Sequence, residues 1–100
     1  MAAPLESSVR AEIRRTFENT DDAEYVRCTL EATVFPGEEF GPPPRVHVAL
    51  LWLSGGHIRR FDHEFAAARS DWRDALLRAG LAGADWRRVL ARRGIACDSW

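Results

Sequence analysis

The densest run of chemistry-bearing side chains in this sequence is "HIRRFDHE", which carries His57, Asp62, His63 and Glu64, with His47 a short way upstream. Imidazole and carboxylate together can ligate a divalent cation, and they are also the commonest partners in general acid–base work near neutral pH. If "RVHVALLWL" and the segment after Gly56 are paired strands, His47, Asp62 and Glu64 share one sheet face and form a weak candidate metal or acid–base site. The spacing fits no standard zinc pattern. Asp62 and Glu64 also read as the acidic first turn of a helix, which would break that alignment. The sequence therefore gives no metal or cofactor an expected place. "SGGH" brings a serine near a histidine, but the glycines account for it as a turn. No G-x-S-x-G, phosphate-binding glycine loop or dinucleotide fingerprint is present. The expectation leans away from an enzyme, with a small metal- or histidine-dependent one as the last alternative.

Arginine is the second chemistry on offer. All 14 Lys-or-Arg residues are arginine, an outcome that a GC-rich genome explains better than a ligand does. The distribution is uneven, because the acids outnumber the arginines before His57 and the reverse holds after it. Arg87, Arg88, Arg92 and Arg93 crowd one short segment and could grip phosphates without reading bases, since no Asn, Gln, Ser or Thr stands among them. A formal net charge of −1 gives the whole molecule no pull toward a polyanion. Nucleic-acid backbone binding is accordingly the alternative reading, not the first one.

The elements that hold these residues follow from hydrophobic spacing. Leu5, Val9, Ile13 and Phe17 recur every fourth residue, which predicts an amphipathic N-terminal helix with Glu6–Arg10 and Arg14–Glu18 as possible pairs on its wet side. From Tyr25, Val26, Cys28, Leu30, Ala32 and Val34 alternate with polar residues, which predicts a strand with Cys28 in its dry face. "PGEEFGPPPR" reads as a turn and a stiff connector. "RVHVALLWL", Gly55–Gly56 and the run to Phe61 read as a hairpin.

The last third says one phrase twice, "DWRDALLRAGL" from Asp71 and "DWRRVLARRGI" from Asp85. Each copy has an acid at its start and, at its end, a glycine followed by an apolar residue, so each spells a short helix with a left-handed cap. Trp72 and Trp86 are its expected anchors on the sheet.

The predicted fold is thus α+β, one domain over residues 1–100: an N-terminal helix, a three-stranded antiparallel meander and a C-terminal helical pair. The leading functional expectation is a small non-catalytic interaction or regulatory module, with a homodimer as one form of that interaction. Its docking surface would be the second apolar sheet face of Ala49, Leu51, Leu53 and Ile58. Cys28 and Cys97 are too few and too far apart for a disulfide framework. The longest apolar run, "VALLWL", is far too short to span a membrane, and the N-terminal residues lack a signal-peptide pattern. A soluble, cytoplasmic protein without membrane partners is expected.

Overall fold

The computed structural model describes residues 5–33, 43–98 and 100, and every regular element among them is a helix. The order is α1 (Ser7–Thr16), α2 (Thr20–Glu31), α3 (Pro43–Ser54), α4 (Ile58–Ser70), α5 (Trp72–Ala79) and α6 (Trp86–Arg92). The expected α+β meander is therefore wrong. The described part of the chain is an all-helical fold wrapped around α3, which packs against α1, α4 and α5.

Two of the three mistaken strands, those now α2 and α3, have a direct physical explanation. In α3, Val46, Val48, Ala49, Leu50, Leu51 and Ser54 are all at most 5% exposed, and Arg45 and His47 are buried as well. A helix buried on all sides shows no amphipathic period, so its apolar run is indistinguishable from that of a central strand. In α2, only Val26 and Leu30 are buried, whereas Cys28 is exposed. Those two positions lie four apart, on one helical face. The apparent alternation with Cys28 and Ala32 was a coincidence of residue type. Asn19 starts this helix by accepting bonds from the amides of Asp21, at 2.8 Å, and Asp22, at 3.1 Å, which satisfies two donors that the helix itself leaves unpaired. Val34 and most of "PGEEFGPPPR" lie outside the described residues. Pro43 and Pro44 form the first turn of α3, where a missing amide proton costs nothing.

Gly55 and Gly56 do adopt positive φ, +59° and +84°, yet they join two helices instead of two strands. At Gly56 the need is also spatial: a Cβ would stand 2.7 Å from the Thr16 carbonyl oxygen, so the turn packs directly on the end of α1. Phe61 of α4 then links three helices. Its ring meets Phe17 edge-on at 6.2 Å and Tyr25 edge-on at 6.5 Å, and stacks with Phe65 at 5.9 Å. Both arrangements suit the quadrupole of an aromatic ring.

The repeated phrase builds the same closing turn twice. Leu81 donates its amide to Leu76 and Gly80 to Leu77; Ile95 donates to Leu90 and Gly94 to Ala91. This is the Schellman pattern, with Gly80 at φ 80° and Gly94 at φ 77°. Leu76 with Leu81, and Leu90 with Ile95, are buried at the two turns. Burying each such side chain is worth about 1.5–3 kcal/mol, so the common letters of the phrase hold the fold. Trp72 and Trp86 pack partly buried against the helical core, in place of the sheet that was expected. Among the described residues, no helix is long and apolar enough to cross a membrane.

Candidate functional site

The histidine–carboxylate cluster does not assemble. His47 is buried in α3, where burial pushes its imidazole down to about 4. Asp62 accepts a 2.6 Å hydrogen bond from the Tyr25 hydroxyl, and this bond, which holds the phenol proton, raises the phenol above its ordinary value. Glu64 is gripped by both Nη atoms of Arg78, at 3.1 Å and 2.5 Å, and this holds its carboxyl below the usual range. Such two-point contacts are among the strongest that ionised side chains make. His57 precedes α4 and His63 lies on it, both exposed. Among the described residues, no three His, Cys, Asp or Glu side chains gather as a metal would require.

The expected apolar docking face is absent for the same reason as the sheet. Ala49 and Leu51 are fully buried, and Leu53 and Ile58 are half-buried against the same core. Residues that alternate along a strand point in several directions along a helix. Cys28, expected in the dry face of a strand, is on the surface of α2, and Cys97 is buried beside α6.

The two copies of the phrase differ on their outer faces. In the first copy the arginines are neutralised. Arg73 lies 3.9 Å from Asp71, and Arg78 bridges Asp74, at 2.9 Å, and Glu64. In the second copy the position of Asp74 is taken by Arg88, and that of Arg78 by Arg92. An i,i+4 attraction has become an i,i+4 like-charge pair. Both arginines are exposed, and neither has an ion pair among the described residues.

Their neighbours fix the helix from behind. Arg87 lies over the Trp86 ring at 4.4 Å and donates to the carbonyls of Cys97, at 3.1 Å, and Trp100, at 3.4 Å. Trp86 stacks on Trp100 at 6.2 Å, and the Trp100 indole reaches Ser8 of α1 at 3.3 Å. Arg45 approaches Trp86 at 5.0 Å. Arg93 covers the Trp52 ring at 4.7 Å, while the Trp52 indole donates to Glu12 at 3.0 Å. These cation–ring contacts are worth about 0.5–2 kcal/mol each, depending on exposure. Of the four arginines singled out in the sequence, Arg87 and Arg93 thus serve the fold in part, and Arg88 and Arg92 point their charge outward. Composition alone missed that division. Laying the two copies of the phrase against each other would have found it.

No protein-family model, curated protein or solved structure matches this chain.

Proposed function

We propose that this chain is a non-catalytic interaction module whose α6 face, centred on Arg88 and Arg92, docks an acidic segment of a protein partner. The observation that carries this reading is the exchange of Asp74 for Arg88 between two otherwise parallel phrases. The exchange costs a few tenths of a kcal/mol of helix stability and leaves two guanidinium groups free for carboxylates, which their planar fork fits well. A protein segment suits the surface better than a nucleic acid. A helix of this length spans only about 10 Å, and exposed Asp85 and Asp98 flank it. A duplex, by contrast, presents phosphates over a much longer track. On this reading the protein works in the cytoplasm, where the exposed Cys28 stays reduced.

The test is fluorescence anisotropy with two labelled probes, a short glutamate-rich peptide and a mixed-sequence DNA duplex, across a salt series. The peptide is expected to bind, with Arg88→Asp abolishing binding while the fold remains intact. Tighter binding of the duplex at every salt concentration would replace this reading with the nucleic-acid one. Binding to neither probe, or an Arg88→Asp variant that binds like the parent, would overturn it.

A further inference from the structure

We propose that the cleft between α1 and α2 is a binding site for a small carboxylate with an apolar body. The cleft has a volume of about 340 Å³, within the roughly 300–1,000 Å³ of small-molecule sites. Ile13 and Phe17, each at most 3% exposed, back the cleft, and half-buried Ala23 also lines it.

The α1 wall carries Arg10 and Arg14, one helical turn apart and both exposed. The sequence offers each of them an acid four residues away, Glu6 and Glu18, and the end of the helix takes Glu18 out of register with Arg14. The chain leaves α1 at Phe17 in an extended conformation, at φ −112° and ψ 107°, whereas the first turn is regular, with the Arg10 amide donating to the Glu6 carbonyl at 3.0 Å. Side chains three or four apart meet only when the residues between them are helical. Neither Arg10 nor Arg14 has an ion pair among the described residues. Two neighbouring guanidinium groups beside an apolar backing form a receptor for an anionic head with a hydrophobic tail.

On the opposite wall the lining residues Glu24 and Arg27 pair with each other. Arg27 contacts both Glu24 and Glu31, its Nε lying 3.1 Å from Glu24, so these three groups together carry one negative charge and direct an incoming anion to the α1 side. Glu18 stands at the turn end of the cleft. It favours a ligand whose carboxylate sits toward Arg10 and Arg14 and whose body covers Ile13 and Phe17. It also works against a second negative charge, which selects a monoanion.

The measurement is an amide NMR titration of the full chain with 3-phenylpropionate, with 3-phenylpropanol as the neutral control of similar shape. The acid is expected to shift the amides lining the cleft and to bind at least tenfold more tightly than the alcohol. Arg10→Ala with Arg14→Ala should remove that preference, and Glu18→Gln, which leaves both arginines in place, should strengthen binding. Equal binding of acid and alcohol, shifts confined to other surfaces, or no saturable shift would overturn the proposal. The α6 variant Arg88→Asp should leave this titration unchanged, so loss of binding there would show that the anion is held elsewhere.

Discussion

Acidification should weaken this fold well before its carboxylates protonate, and His47 is the cause. Its side chain is sealed inside α3, and burial lowers the imidazole from 6.5 to about 4. Above pH 6.5 the imidazole is neutral in both folded and unfolded chains, and it adds no pH dependence. Below 6.5 the unfolded chain takes up a proton that the folded one refuses, so stability falls as the pH falls. The slope tends to about 1.4 kcal/mol per pH unit, and the full depression corresponds to about 3 kcal/mol by about pH 4. Glu64, whose carboxyl is held down by Arg78, acts only lower on the scale. Its contribution is complete above 4.5 and is lost as the pH drops through its depressed value. The interval from pH 6.5 to 4.5 therefore isolates the imidazole. Urea denaturation followed by tryptophan fluorescence, at closely spaced pH values, should show the decline in the parent. His47→Leu should show a much flatter profile over the same interval. A parent whose stability is level from about pH 7 to about pH 5, or a variant that keeps the slope, would refute the reasoning. So would an NMR titration of His47 in the folded protein near its ordinary value.

Further outcomes follow from the same packing. At Gly56 a positive φ and a backbone clash with Thr16 combine. Gly56→Ala should therefore cost about 2 kcal/mol, or more, in chemical denaturation. Gly55→Ala meets only the distant edge of His57, and should cost about 1 kcal/mol. The Arg78 side chain is partly open to water, which moderates its pairing with Glu64. Arg78→Met should destabilise by about 1 kcal/mol, read by the same denaturation assay. Adding Glu64→Gln to it should recover part of the loss, since no buried charge is then left alone. Arg88→Asp should raise stability by a few tenths of a kcal/mol, by restoring an i,i+4 attraction to Arg92. A fall in melting temperature in that variant would mean that Arg88 supports the fold after all.

The short-range grammar of the chain was legible without coordinates. The stripe Leu5, Val9, Ile13 and Phe17 became a helix with its flanking apolar residues buried, and Gly80 and Gly94 became left-handed caps. These features depend on the spacing and backbone freedom of residues close in sequence, which the letters state directly. The candidate sites were less legible. That Arg88 departs from Asp74 is written in the two phrases. That Arg14 loses Glu18 depends on where α1 stops, which its extended C-cap at Phe17 decides.

Tertiary packing decided the rest. Val46, Val48, Leu50 and their neighbours are compatible with a central strand or with a central helix, because a segment wrapped on all sides needs no wet face to mark its period. Only the placement of α1, α4 and α5 around it selected the helix. That choice dissolved the apolar face of Ala49, Leu51, Leu53 and Ile58 and parted His47 from Asp62 and Glu64. Sequence determined which residues had to be buried and where turns had to fall, since transfer from water and positive φ are local requirements. Which side chains meet across the molecule depended on how the buried helix was surrounded, a property of the assembled chain and not of any single stretch.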